Sequence, residues 1–327
     1  MTNNTIKFSV NKEDVGNRLD LMLTKKITNL TRSRLKKIIE SKNVKINNCI
    51  VSSPSKKVRL NENIIVNVFQ TENNKVEPFK TKIDVVYEDK YLLVVNKPSG
   101  MAVHPGAGNF KKTLVNALVF KYKKKLSNIN GGLRPGIVHR IDKETSGLLV
   151  VAKNNLAHSK LAKQFSDHTI KRKYLALVWG VVRPLKGKIE TLIGRSKKNR
   201  QLMTVSEIKG KKAITNYSTQ KVYNINDVPK ISLVECELET GRTHQIRVHM
   251  SYKGNPLLAD KQYGKKNIKF KKINKDFEKK ISSLNGQTLH AKSLGFFHPH
   301  NNKFMSFKSD LPKDYKKLLD LLNKLSN

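Results

Sequence analysis

An α+β fold is predicted for this 327-residue chain. Two observations carry the prediction: β-rich runs outnumber helical patterns over most of the length, and the two do not alternate in the regular order that a doubly wound parallel sheet needs. A third observation divides the chain. Residues 71–81, TENNKVEPFKT, are polar, contain a proline and lack apolar periodicity, which places a boundary there. The expected organisation is a first domain over residues 1–75, a linker over 76–83 and a larger domain over 84–327.

In the first domain, IKFSV reads as a strand. GNRLDLMLTKKI follows, with Leu19, Leu23 and Ile27 at helical spacing, and then TNLTRSRLKKIIESKNV, with Leu35, Ile38 and Ile39 repeating the pattern. Thr31 is placed to cap the second helix, whose first turns present Arg32, Arg34, Lys36 and Lys37. VKINNCIVSS alternates around an Asn47-Asn48 turn, and NENIIVNVFQ supplies a further strand. Two helices and a small sheet close a compact α/β module.

In the larger domain, IDVVYEDKYLLVVNKPSG gives two strands across an acidic turn, stopped by Pro98 and Gly100. LVNALVFKYKKKL and residues 156–165 are helical; KYLALVWGVV, AITNYSTQKVY and ISLVECELET are strands; DYKKLLDLLNKL is a last amphipathic helix. In residues 136–154, GIVHRI and GLLVVAKN both read as strands, with a polar insert between them that carries Asp142.

Lys and Arg number 65 against 25 acidic residues, a formal net charge of +40. A polyanionic partner is the default expectation. Heavy use of Lys, Asn and Ile accompanies the charge, so its sign carries more weight than its size. No apolar run reaches the length of a membrane span, and MTNNTIKFSV lacks the apolar core of a signal peptide. Cys49 and Cys236, far apart and without metal-ligand spacing, fit a reducing cytosolic setting. His139, His244 and His249 are set in basic sequence, which disfavours a bound cation.

Asp142 in HRIDKETSG is open to two readings. A short carboxylate before Thr145 and Ser146 commonly caps a turn through backbone amides. A second polar island, ETGRTHQIRVHM, follows an apolar strand and carries Arg242, His244, Gln245 and Arg247; two such islands at strand ends suggest one shared cleft. A carboxylate beside a fixed guanidinium stays ionised and is poised as nucleophile or base. Arg242 is a candidate partner, or a simple phosphate contact. Tyr174 opens a strand after a basic cluster, either to stack on a base or to fill a core. Phosphate-binding loop, dinucleotide, zinc-deaminase and nucleophile-elbow patterns are all missing or incomplete.

HRIDKETSG together with TGRTHQIRVHM resembles the paired signatures of the RluA-type pseudouridine synthases, and YEDKYLLVVNKPSGMAVHPGAG resembles that family's first motif. The similarity runs from about Asp84 to the last helix and includes PLLADKQYG and QTLHAKSLGFFHP; Ile141 stands where leucine is usual. Residues 12–68 resemble the small S-four type RNA-binding domain. The resemblance implies a mixed, largely antiparallel central sheet with flanking helices and a catalytic cleft. It implies Asp142 as the catalytic aspartate, Arg242 as its ion-pair partner, Tyr174 as the ring against the target uracil and Arg140 as the side chain filling the gap left by a flipped nucleotide. In the N-terminal module it points to Arg18, Arg32, Arg34, Lys36, Lys37 and Lys45 as RNA contacts.

The implied reaction is isomerisation of uridine to pseudouridine without metal, nucleotide or redox cofactor. AVHPGAGN, TLVNAL and RPGIVHR are most similar to the branch acting on the helix 69 loop of 23S ribosomal RNA, free or within the large subunit. A cytoplasmic monomer with no membrane or DNA partner is expected. Alternatives are the same activity on another ribosomal or transfer RNA site, a noncatalytic RNA-binding assembly protein, or a base-excising glycosylase or nuclease, which would leave abasic sites or breaks.

Overall fold

The computed structural model describes residues 3–27, 30, 32–69, 76–106, 108–129, 132–226, 228–264 and 275–326. They fall into two compact units, divided between Lys75 and Val76.

In the first unit, β1 (Asn3–Ser9) is followed by a short 3-10 turn and by helices α1 (Leu19–Lys26) and α2 (Arg32–Glu40). Strands β2 (Val44–Ile46), β3 (Cys49–Val51) and β4 (Asn63–Phe69) complete an antiparallel sheet in the order β1-β4-β2-β3. Asn47 and Asn48 both hold positive φ between β2 and β3, as a two-residue hairpin turn with the strands' own twist requires. Leu19, Met22 and Leu23 of α1 meet Leu35 and Ile39 of α2 over Ile64 and Val66 of β4. The capping residue expected at Thr31 lies outside the described residues.

The second unit begins with β5 (Asp84–Glu88) and β6 (Leu92–Lys97), then α3 (Leu114–Tyr122), β7 (Ser146–Ala152) and α4 (Asn155–Ser166). A run of strands follows: β8 (Lys171–Trp179), β9 (Lys186–Arg195), β10 (Met203–Ser206), β11 (Lys211–Tyr223) and β12 (Ile231–Leu238). Helices α5 (Gln245–Tyr252) and α6 (Lys275–Ser282), strands β13 (Leu289–Phe297) and β14 (Phe304–Lys308), and α7 (Lys313–Leu325) end the chain. Among the described residues these strands form one ten-stranded sheet, β10-β9-β11-β12-β8-β13-β7-β6-β5, with β14 added beside β13. The pairings are antiparallel except β13 with β7, so the sheet is mixed and largely antiparallel.

Successive side chains of a strand point to opposite faces, and both faces of β6 and β7 are covered. Leu93, Val95, Leu149 and Val151 pack with α3 on one side; Leu92, Val94, Leu148 and Val150 pack with Ala157 and Leu161 of α4 on the other. That double burial explains why GLLVVAKN is apolar at consecutive positions.

GIVHRI is not a strand. Only Ile137 forms a bridge, with Val151, while Gly136 accepts from the Ala152 N–H and His139 Nε2 accepts from the Val150 N–H at 3.0 Å. One edge of β7 is taken by β6, and the other pairs β13 only at Ser146 and Gly147. The GIVHRI segment satisfies the remaining edge with one bridge and one imidazole, and its chain is then free to leave the sheet at Arg140. Gly136, at φ +74°, is required here because a Cβ would meet Val151 and the Ala152 carbonyl at 2.7–2.8 Å.

Candidate active site

Asp142 begins a turn whose closing hydrogen bond runs from the Thr145 N–H to the Asp142 carbonyl at 3.1 Å, directly before β7. Ile141, buried in the core, anchors one side. From the other side comes Lys97, the last residue of β6 and only 1% exposed. Its ammonium donates to the carbonyls of Pro98, Met101 and Lys143 at 2.7–2.9 Å. Ser99 adds a bond to the Glu144 carbonyl at 2.7 Å. The NKPSG turn is thus locked to the Asp142 turn. Burial pushes the Lys97 ammonium down to about 7, against the opposing pull of Glu144 and Asp142.

Among the described residues the Asp142 carboxylate accepts no backbone amide, so it is not the turn's cap. Its Oδ2 accepts from Arg247 Nη1 at 3.0 Å. Arg242, expected as the partner, points elsewhere: its Nε donates to the Lys212 carbonyl at 2.8 Å on the edge of β11. The reason is local. His244 holds a left-handed conformation, φ 56°, at the start of α5, so the chain turns between the two arginines. Arg242 is left at the strand end, and Arg247 projects from the first turn of the helix.

Gln245 fixes that helix start. It accepts from the Thr240 hydroxyl and the Arg242 N–H and donates to the Ile214 carbonyl and Thr215 hydroxyl, all at 2.8–2.9 Å.

Asp260, in PLLADKQYG, was given no role by the sequence and holds Arg247 in place. Arg247 Nε and Nη2 donate to its two oxygens at 2.7 and 2.9 Å, and Nη2 also donates to Gln262 at 2.8 Å. The guanidinium lies over the Tyr263 ring at 4.8 Å. Burial works against the Arg247 charge, yet bonds and charges from Asp260 and Asp142 outweigh it and raise its pKa. A fork clamped on one side by Asp260 presents its remaining nitrogen to Asp142.

Asp142 Oδ1 makes no hydrogen bond among the described residues; His244 Nε2 stands 3.9 Å away. The Tyr263 hydroxyl oxygen receives the Met203 N–H and sits 2.8 Å from His244 Nδ1. In the tautomer in which the Tyr263 hydroxyl donates to Nδ1, the Nε2 hydrogen faces Asp142. Burial lowers the pKa of His244, keeping it neutral over Asp142's opposing influence.

These groups line a cavity of about 450 Å³, within the range of roughly 300–1,000 Å³ typical of small-ligand sites. Its floor spans neighbouring strands through Leu238, Tyr174, Leu289 and Thr145. Tyr174 is buried, and burial raises its hydroxyl pKa. Arg140 also lines the cavity; it is exposed, with Nη1 at 3.1 Å from His104 Nε2.

The expected RNA contacts of the N-terminal module are disposed unevenly. Asp20, 1% exposed, accepts from both Arg18 and Arg32 at 2.8–3.3 Å, leaving both guanidiniums partly exposed. Lys36 pairs loosely with Glu40 at 3.6 Å, Lys37 is exposed, and Lys45 lies half-buried on β2. The Arg34 side chain lies outside the described residues.

Residues 91–252, which carry the Asp142 and Arg247 turns and most of the cavity wall, match the RNA pseudouridylate synthase family. The ribosomal large subunit pseudouridine synthase D of Zymomonas mobilis is 44% identical over 97% of this chain and 98% of its own. The chain belongs to the RluA-type RNA pseudouridylate synthases. An uncharacterised RNA pseudouridine synthase of Bacillus subtilis, YlyB, is 41% identical over 98% of the synthase and 99% of its own length. The human RNA pseudouridylate synthase domain-containing protein 4 superposes with a TM-score of 0.57 and 25% identity, covering 73% of this chain and 93% of that one.

The reaction of a pseudouridine synthase breaks the bond from ribose carbon 1 to uracil nitrogen 1, turns the base and rejoins it through carbon 5. Atoms balance without a second substrate. The cavity holds a carboxylate fixed by a clamped guanidinium, an imidazole beside it and an aromatic wall.

Proposed function

We propose that the synthase isomerises uridine in the RNA of the large ribosomal subunit, with the helix 69 loop of 23S RNA as its target and Asp142 as the reacting carboxylate. The observation that carries the reading is the placement of Asp142. Its Oδ2 is held by Arg247, and its Oδ1, at a cavity floored by Tyr174, makes no hydrogen bond among the described residues. The ribosomal target rests on relatives named ribosomal large subunit pseudouridine synthase D, in Zymomonas mobilis and Neisseria meningitidis, at 44% and 42% identity.

A stacked uracil is out of reach of a side chain, so the nucleotide is extruded at a cost of roughly a few kcal/mol. Stacking on Tyr174 and insertion of Arg140 offset that cost. Arg247 and His244 keep Asp142 oriented while the detached base turns in an enclosed site. Residues 1–75 act as an S-four type RNA-binding domain, with Arg18 and Arg32 pre-aimed by Asp20 and Lys36, Lys37 and Lys45 adding charge. The setting is the cytoplasm, where ribosomes assemble.

Mapping pseudouridines in ribosomal RNA from cells with and without the gene tests this directly. Loss of modification confined to the helix 69 loop is the expected result; loss at another ribosomal or transfer RNA site would move the target, and an unchanged map would remove the assignment.

A further inference from the structure

Arg172 stands two residues before Tyr174 on β8, so both side chains leave the same face of the strand, and both line the cavity. Yet Arg172 has neither a hydrogen bond nor an ion pair among the described residues. It is 7% exposed, its Nε is closed off from solvent without a hydrogen bond, and no carboxylate pairs with it among the described residues. Its surroundings make room for a cation but do not neutralise it. The guanidinium lies over the Phe165 ring at 5.4 Å, and Phe165 is stacked on His139 at 4.5 Å. Gly241 abuts it: a Cβ there would come within 2.7 Å of Nη1. Burial lowers the pKa of Arg172; Tyr174 acts against that shift and the charge of Arg242 adds to it.

The contrast with Arg247 is informative. Both guanidiniums face one cavity; Arg247 is neutralised by two aspartates, whereas Arg172 has none. Burying an unpaired charge is costly unless a ligand supplies its counterion. Arg140 and Arg242, also on the wall, bond to an imidazole and a backbone carbonyl and pair with no carboxylate among the described residues, so the wall carries further cations without acidic partners.

We propose that Arg172 is an anion subsite that receives a phosphodiester of the RNA substrate, the phosphate adjoining the uridine whose base lies against Tyr174. The inference rests on the proposed function in assuming an RNA in this cavity. Arg172 holds the flipped nucleotide by its backbone while Asp142 is left to the sugar and base. The planar fork suits two phosphate oxygens. Two residues of β8 then grip one nucleotide, the phosphate by Arg172 and the base by Tyr174.

The test uses the full-length protein and synthetic RNA copying the 23S segment that the wild type binds most tightly. Single neutral methylphosphonate linkages are placed at each position in turn. For wild type, one linkage beside one uridine should weaken binding about tenfold or more, the scale of a charge-assisted bond. In R172M all linkages near that uridine should become equivalent, and R172K should restore part of the difference. R172M should melt at or above the wild-type temperature, because an unpaired buried cation has been removed.

Equal sensitivity of wild type and R172M at every linkage would overturn the proposal. So would a large fall in melting temperature in R172M, which would mark a structural role. Turnover on the same RNA is read separately: a linkage effect present in wild type and lost in R172M, on RNA that is never isomerised, would keep the subsite and refute the proposed target.

Discussion

Asp142 is held by a partner that does not depend on it, and this shapes what its replacement should do. Because Asp260 still engages two nitrogens of Arg247, Asp142→Asn leaves no orphaned guanidinium. The variant should fold, bind RNA nearly as wild type by filter binding, and release no tritium from uridine labelled at carbon 5; near-normal turnover would remove Asp142 from the chemistry. Arg247→Met is different, since it strands Asp260, whose side chain is fully buried. A stability loss of about 3–5 kcal/mol is expected by urea denaturation, together with loss of turnover, whereas Arg242→Met should leave stability close to wild type. Asp260 also sets a pH dependence. Its pKa is lowered, Arg247's bonds and charge outweighing the burial that would raise it. Its stabilising contribution is therefore complete above about pH 4, the unfolded value, and falls away as pH drops through the lower folded value. Denaturation midpoints should decline over that acid range, and part of the decline should vanish in Asp260→Asn. For Tyr174, Phe should keep the stacking of roughly 1–3 kcal/mol per base that Ala gives up; RNA affinities of the two variants that match wild type would leave Tyr174 as a core residue only.

Elements place these residues through two unusual joints. The first is the lock between the NKPSG turn and the Asp142 turn, made by Lys97 and Ser99. Lys97→Met would leave three carbonyls short of a donor, each costing about 1–3 kcal/mol if left unsatisfied, so a drop in unfolding free energy of several kcal/mol is expected in denaturant titration. The second is the parallel contact of β13 with β7. Gly147, at φ +113°, lies so close to Ala291 that any Cβ would strike its backbone. The substitution Gly147→Ala should therefore lower the melting temperature by forcing β13 away. Periodicity and turn residues made the helices and most strands legible in the sequence, because those signals are local. GIVHRI misled for a physical reason: its β-branched residues cover the core as a strand's would, but the β7 edge it lies against is only partly open. Arg242 and Arg247 could not be told apart for a similar reason, since the left-handed turn at His244 is not a residue-type preference strong enough to be read from one histidine.

At the scale of the whole molecule, charge and modularity set the expectation. Phosphate contacts fix register while the cleft does chemistry, so removing residues 1–75 should raise the apparent KM for RNA, spread modification to further uridines and affect saturated turnover less. Each lost contact to single-stranded RNA should flatten the slope of log affinity against log salt by roughly 0.7. An unchanged slope and unchanged site choice in the truncated protein would leave the module without a role in binding this RNA. Among the described residues no helix is long and apolar enough to cross a membrane.

By itself the sequence determined the division near residue 75, the α+β class, the basic character, the two polar islands from which Asp142 and the candidate arginines were drawn, and the basic cluster that precedes Tyr174. Each of these is written in local pattern or composition. Only the tertiary structure decided that Asp142 meets Arg247, that Asp260 and Tyr263 hold that arginine, and that Arg172 is buried in the same cavity with no carboxylate paired to it among the described residues. The first of these joins residues about a hundred positions apart, and a side chain's partner at that separation depends on which strand lies beside which. The sheet order and the left-handed turn at His244 set that neighbourhood, and no single segment encodes it.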